Sequence, residues 1–223
     1  PFIYIMNKTI HQIYLNYDGY WDPIFTQSKE SWSNIDNFNY KLWSESDLLE
    51  LVSQYPIVKE MWDNIKYPIQ KVDLGRWIIL YHFGGLYADL DVVNKDQKLK
   101  FIYTDHFITS YKNKIEMDIV YFDRPHHPLL MHGLFDYFSC NIKKIDNEPI
   151  YKTWKCRYIL QSFGPRAIAR YFRINKLKPN IMHFQIEPSP FIFTKKINPM
   201  KIVEDSPVII YKTSSWNTPS NNI

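Results

Sequence analysis

The feature that most constrains this chain is a helix-like segment that runs into two glycines and leaves them as a strand. Ile69 to Phe83 carries apolar residues at helical spacing, Gly84-Gly85 stops it, and Leu86-Tyr87-Ala88-Asp89-Leu90-Asp91-Val92-Val93 follows as an apolar run interrupted by two acids. Helices commonly end at glycine, and side chains along a strand alternate faces. Extended geometry would aim Asp89 and Asp91 the same way and send Leu90 and Val92 into the opposite layer. Two like charges that close repel unless a cation sits between them. Hard divalent ions such as Mn2+ or Mg2+ prefer oxygen ligands, typically one or two carboxylates completed by substrate phosphates. Asp89 and Asp91 are therefore candidate metal ligands. A short Asp-x-Asp also ends many ordinary strands, so the surrounding residues have to decide.

Strand-like and helix-like segments succeed one another along the chain. Ile10–Leu15 and Tyr40–Trp43 read as strands, and Trp21–Trp32 reads as a helix. Ser44 or Ser46 can cap a helix starting at Asp47, and prolines at 56 and 68 punctuate two more helical segments. Phe107–Tyr111 and Met117–Phe122 suit a hairpin turned at 112–114, Leu129–Phe138 suits a helix, and 141–148 reads as a polar loop. Pro165–Phe172 reads as a helix, and Val208–Tyr211 is the clearest strand of the Pro-rich last portion. This succession predicts an α/β fold with a mixed central sheet, and 223 residues suit one domain spanning 1–223. The chain opens on Pro1 rather than Met, which points to a piece of a longer protein.

Several functions are disfavoured. The net charge of +4 comes from scattered Lys and Arg rather than a basic track, so nucleic acid is not an expected partner. No apolar run reaches the roughly 18 residues of a membrane span. Cys140 and Cys156 form no disulfide framework. P-loop, dinucleotide-fold and nucleophile-elbow patterns are absent, and His126 and His127 match no zinc spacing. The cellular compartment stays open; the chain as given is expected to be soluble.

The stretch Lys71–Val93 resembles the Asp-x-Asp sugar-binding region of a glycosyltransferase group, family 32-like. That group includes mannosyltransferases, bacterial capsule and lipooligosaccharide sugar transferases and, distantly, the clostridial glucosylating toxins. Its pattern of Asp-x-x-Arg followed by Tyr-Gly-Gly-x-Tyr-x-Asp-x-Asp stands here as Asp73, Arg76, Phe83-Gly84-Gly85, Tyr87, Asp89 and Asp91, with Phe83 in place of Tyr. Weaker matches are Ile10-His11-Gln12-Ile13, His127-Pro128, Gly164-Pro165 and Ser214-Ser215-Trp216. The resemblance implies a GT-A fold, a single Rossmann-like nucleotide-sugar-binding domain. It also implies a Mn2+ or Mg2+ cofactor, a UDP-sugar or secondly a GDP-sugar donor, and a glycan or glycoprotein acceptor.

By the same resemblance, His11, Gln12 and Ile13 would lie under the nucleotide base, although His11 could equally satisfy a buried strand. Asp73 would accept hydrogen bonds from the donor sugar, and Arg76 would place a cation near the diphosphate or ribose. Tyr87 would complete the donor pocket, and Ser214 and Trp216 would close over the phosphate. Lys212 is a candidate second cation or a solvated lysine. Relatives often carry a His ahead of Ser-x-Trp as a third metal ligand, where this chain has Tyr211-Lys212-Thr213. Asp118 stands where relatives commonly have Asn. It would act as general base in an inverting enzyme, or would support positive charge on the sugar in a retaining one, the usual case in this group. Alternatives are a carbohydrate-binding module derived from such an enzyme and a sugar-nucleotide hydrolase.

Overall fold

The computed structural model describes residues 8–16, 19, 21–111, 114–188 and 206–212. Helix starts follow local chemistry. The Asp22 carboxylate accepts from the Ile24 N–H at 2.9 Å with Pro23 in the first helical position, so α1 spans Pro23–Ser33. Ser44 caps α2 (Glu45–Val52) in a capping box with Asp47, which places the helix start two residues before the sequence expectation. Pro56 and Pro68 open α3 (Pro56–Asp63) and α4 (Pro68–Phe83).

The main sheet is mixed, as expected. Strands β1 (Thr9–Ile13), β2 (Asn39–Trp43) and β3 (Gly85–Ala88) are parallel, while β6 (Lys114–Phe122) runs antiparallel to β3 and to β5 (His106–Tyr111). With β7 (Ile181–Met182) the order is β2-β1-β3-β6-β5-β7. A second sheet was not foreseen: β4 (Val92–Asn94) pairs with β9 (Val208–Lys212), which pairs with β8 (Gln185–Pro188).

Alternation along the main strands sorts the core onto two faces. One face carries Ile13, Tyr87, Val120 and Phe122 against α2, α3, α4 and the later helices α6 (Leu134–Asp146), α8 (Lys155–Ser162) and α9 (Pro165–Ile174). The other carries Ile10, Leu86, Ala88 and Tyr121 against Trp32 of α1 and Val92, Val208 and Ile210 of the small sheet. The loop expected at 141–148 is helical as far as Asp146: buried Ile145 continues the apolar stripe of Leu134, Phe135 and Phe138, and Lys143 and Lys144 occupy the last turn, where the helix dipole favours cations. Between α6 and α8 lies α7 (Pro149–Thr153), and α5 (Pro128–Met131) precedes α6. No helix among the described residues is long and apolar enough to cross a membrane.

Candidate active site

Helix α4 and strand β3 are joined by Gly84 alone, so the chain reverses direction there and needs backbone that only glycine adopts easily. Gly84 and Gly85 have φ of +66° and +87°, and a Cβ on Gly85 would collide with the Thr9 carbonyl of β1. This tight return lays α4 against the face of the sheet that carries Tyr87. Asp73 and Arg76, one turn apart, are thereby brought to the end of β3.

There the side chains interlock. Arg76 Nη2 donates to Asp89 Oδ1 at 2.7 Å, and the Tyr87 hydroxyl donates to the same oxygen at 2.8 Å. Arg76 Nη1 lies 3.6 Å from Asp73 Oδ1, and the guanidinium stands 4.6 Å from the Tyr87 ring centroid. Burial dominates the electrostatics. It pushes the Asp73 carboxyl up to about 7, against the pull of Arg76 and with a further push from the Asp89 charge. Burial also works against the charge on Arg76, but Asp89, Tyr87 and Asp73 outweigh it and hold the guanidinium above its ordinary value. Burial, then the neighbouring Asp89 charge, holds the Tyr87 phenol well above its usual range, so it remains a donor. Arg76 is only 3 % exposed, and its Nε finds no hydrogen-bond partner among the described residues.

The Asp-x-Asp segment is not the continuous strand that alternation suggested. Ala88 ends β3, the Val92 N–H closes a turn onto the Asp89 carbonyl at 3.1 Å, and Val92 starts a strand of the other sheet. Leu90 and Val93, three apart, therefore share one apolar cluster while Val92 joins another, which alternation by two would forbid. Asp89 is tied to the main sheet: its N–H donates to the Asp118 carbonyl at 2.8 Å, extending the β3–β6 register by one pair. Asp91 is tied to the small sheet, its carbonyl accepting from the Tyr211 N–H at 2.7 Å.

Gln12 is fully buried and fastens this turn from the far face. Its Nε2 donates to Ser28 Oγ at 2.9 Å and to the Asp89 carbonyl at 3.2 Å, while the Tyr40 hydroxyl donates to its Oε1 at 2.8 Å. Ser28 Oγ and Trp32 Nε1 of α1 both donate to the Val92 carbonyl. The roles of Ser28, Trp32 and Tyr40 were not read from the sequence, because hydrogen bonds spanning 28 to 64 residues leave no local pattern.

His11 sits in the core with both ring nitrogens engaged: Trp43 Nε1 donates to Nδ1 at 3.1 Å, which leaves Nε2 to donate to the Gly84 carbonyl at 3.1 Å. Burial lowers its pKa to about 3, so the ring is neutral. Ile13 packs under α4, its Cδ1 filling the space that the missing side chain of Gly75 leaves. Asp118 is 7 % exposed and, being opposite Asp89 in the antiparallel register, shares its face of the sheet. The backbone of Lys212 ends β9, one residue past the Tyr211 contact with Asp91. Ser214 and Trp216 lie outside the described residues. Asp73, Arg76, Tyr87, Asp89 and Asp118 are thus gathered at one end of the main sheet, beside the turn that carries Asp91.

A second group, which spacing did not reveal, joins Asp105, His106 and His127, whose candidate ligand atoms lie within 4.8 Å of one another. It lies at the other end of β6, where His106 pairs with Phe122, four residues and roughly 13 Å from Asp118. His106 Nδ1 is 2.8 Å from Asp105 Oδ1, and His127 Nε2 is 3.5 Å from Asp105 Oδ2. The remote nitrogens both accept backbone N–H groups, His106 Nε2 from Asn180 and His127 Nδ1 from Leu129. A ring nitrogen that accepts an N–H carries no proton, so each ring's proton sits on the nitrogen facing Asp105. Metal-bound histidines do the reverse, donating from the remote nitrogen. The group is a clasp between β5 and the start of α5.

Residues 21–113 match the family described as the glycosyltransferase sugar-binding region containing the DXD motif. Among curated proteins, inositol phosphoceramide mannosyltransferase 2 of Schizosaccharomyces pombe is 26 % identical, covering 96 % of this chain and 59 % of that protein. Inositol phosphoceramide mannosyltransferase 1 of the same yeast is 23 % identical over 71 % of this chain and 54 % of its own length. The chain therefore spans a little over half the length of these relatives. The solved structure of the PaToxG glycosyltransferase superposes with a TM-score of 0.57 at 13 % identity, covering 76 % of this chain and 70 % of that one. The shared architecture is the GT-A-like fold of glycosyltransferase domains. Asp73, Arg76, Tyr87, Asp89 and Asp91 all fall within the segment 21–113 that matches this glycosyltransferase sugar-binding region.

Proposed function

We propose that this chain is the single GT-A catalytic domain of a metal-dependent glycosyltransferase. It moves a sugar from a nucleotide-sugar donor to a hydroxyl of a glycan or glycoprotein, with retention at the anomeric carbon. The observation that carries this reading is the convergence of Arg76 and Tyr87 on Asp89 Oδ1 beside Asp91 and Asp118. The donor set is all carboxylate and its acids outnumber its one guanidinium, which suits Mn2+ or Mg2+ held by Asp89 and Asp91. When bound, the ion neutralises charge growing on the leaving diphosphate. Arg76 would place a fixed cation beside Asp89, near the donor's diphosphate or ribose. Asp73, poised near neutrality, can accept from or donate to a sugar hydroxyl.

In the transfer, the bond from the anomeric carbon to the diphosphate breaks with its electron pair leaving on the phosphate oxygen. The acceptor hydroxyl oxygen forms the new bond. With retention, its proton passes to the departing diphosphate and Asp118 supports positive charge on the ring; with inversion, Asp118 takes that proton. Gln12 keeps Asp89 in place from behind, and His11 and Ile13 hold β1 against α4 beneath the donor. Lys212, Ser214 and Trp216 would follow from β9 to close over the phosphates and exclude water. The relatives' names favour a mannosyl group as the sugar, with either UDP or GDP as carrier.

The test is a panel of UDP- and GDP-sugars screened by thermal shift with Mn2+ and with chelator, followed by product analysis. Metal-dependent stabilisation by one donor, with transfer to a glycan, is expected. Release of free sugar with no transfer product would replace this reading by hydrolysis, and stabilisation by glycans alone would replace it by a binding module.

A further inference from the structure

Strand β4, which leaves the Asp-x-Asp turn, is the edge of the small sheet. Carbonyls alternate sides along a strand, and that of Asp91 is turned towards β9, where it accepts from the Tyr211 N–H. The Val92 carbonyl therefore points away from β9, off the sheet edge and towards α1. Two donors meet it there: Ser28 Oγ at 2.6 Å and, one helical turn further on, Trp32 Nε1 at 2.8 Å.

A serine hydroxyl has one proton. With that proton on the Val92 carbonyl, Ser28 Oγ is left to accept, and Gln12 Nε2 of β1 supplies the donor at 2.9 Å. The second amide proton of Gln12 goes to the Asp89 carbonyl at 3.2 Å, and the Tyr40 hydroxyl, donating to Oε1, holds the amide in this orientation. The bonds thus run from the Asp89 carbonyl through Gln12 and Ser28 to the Val92 carbonyl. They span the turn that contains Asp91 and strap the main sheet to the small one. Gln12 and Ser28 are fully buried, so water offers no competing partner. A further bond between α1 and β4 lies outside this strap: the Asn94 N–H donates to Ser31 Oγ at 3.0 Å.

We propose that Ser28 is a positioning residue for the metal pair: the Gln12–Ser28 strap sets the separation of Asp89 and Asp91 before an ion binds, and through it the size of ion preferred. The inference rests on the metal-dependent transferase reading above and deepens it. Ser28 acts through the two backbone carbonyls that bound the turn. A carboxylate pair on a turn held at both ends keeps one bite, whereas a turn released at one end adapts to larger cations with looser shells.

The test measures Mn2+ uptake by the whole chain from the EPR signal of the free ion, alone and with UDP or GDP, and then its displacement by Ca2+. Ser28→Ala should weaken Mn2+ by about tenfold or more and reduce its preference over Ca2+, the larger ion. Gln12→Met, which opens the strap at its other end, should do the same. Ser31→Ala removes a bond of the same kind between the same two elements and should leave both readings where they are. Hydrogen exchange on the metal-free proteins gives an independent reading. The Val92 N–H, which closes the turn onto Asp89, should exchange about fivefold faster or more in Ser28→Ala than in the wild type. Equal shifts in Ser28→Ala and Ser31→Ala, an unchanged ratio of Mn2+ to Ca2+ affinity in both strap variants, or an unchanged Val92 exchange rate overturns the proposal alone. A wild type that takes up no Mn2+ under any of these conditions overturns the metal-dependent reading and the proposal with it, so the two failures are distinguishable.

Discussion

Arg76 reaches from α4 to donate to Asp89 at 2.7 Å, joining the helix that precedes the glycine turn to the acid that follows it. The pair is nearly dry on the arginine side, so removing one partner strands charge. Arg76→Met should cost about 3 kcal/mol in urea unfolding, in the range for breaking a buried ion pair. Arg76→Lys should recover only part of this, because an ammonium cannot span Asp73 and Asp89 while stacking on Tyr87.

Either Asp89→Asn or Asp91→Asn should abolish metal-dependent donor stabilisation and turnover. Without metal, Asp89→Asn should also lose about 1.5–3 kcal/mol, since its carboxylate holds Arg76 and Tyr87. Unchanged stability of Asp89→Asn, measured by chemical denaturation in chelator, would contradict that role.

Tyr87→Phe keeps the ring that Arg76 stacks on and removes only the hydroxyl that orients Asp89. Groups that orient a ligating carboxylate commonly affect metal affinity about 10–100-fold. Titrating Mn2+ against donor-dependent thermal shift should show that weakening alongside a stability loss of about 1 kcal/mol. An unchanged Mn2+ midpoint would remove Tyr87 from the site.

His11 gives the fold a pH dependence. Its folded pKa, about 3, lies below the ordinary 6.5, so the unfolded chain takes up the proton first. Stability from this residue is complete above about pH 6.5 and is lost as pH falls towards 3, on the order of 1 kcal/mol per unit. Unfolding at pH 7 and pH 5 should show a steeper loss in the wild type than in His11→Gln. Parallel slopes would mean the ring is charged in the fold.

What the residues disclosed in advance was local. Ile69–Phe83 ending at Gly84, and the acids after Tyr87, were legible because helix period, glycine stop and motif lie within one short stretch. The mixed sheet was legible from the order of segments. Asp118 opposite Asp89 was not, because register depends on pairing across 29 residues. The Asp-x-Asp turn misled for a related reason. Leu90 and Val92 read as a continuing strand, and only the pairing of Val92 with distant Ile210 moves that strand into another sheet. Residues 141–146 looked polar, yet Ile142 and Ile145 suffice to continue a helical stripe once α6 has a wall to lean on. His127 found Asp105 and His106 only through folding.

The two acids of the motif belong to different mechanical bodies: Asp89 moves with β6 through Asp118, and Asp91 moves with β9 through Tyr211. On the metal-dependent reading proposed above, an ion held between them would be a rivet across a seam. Shear of the small sheet against the large one would alter the bite available to the ion, and filling that bite would stiffen the joint. Cation occupancy and the pairing of β4 with β9 would then rise and fall together.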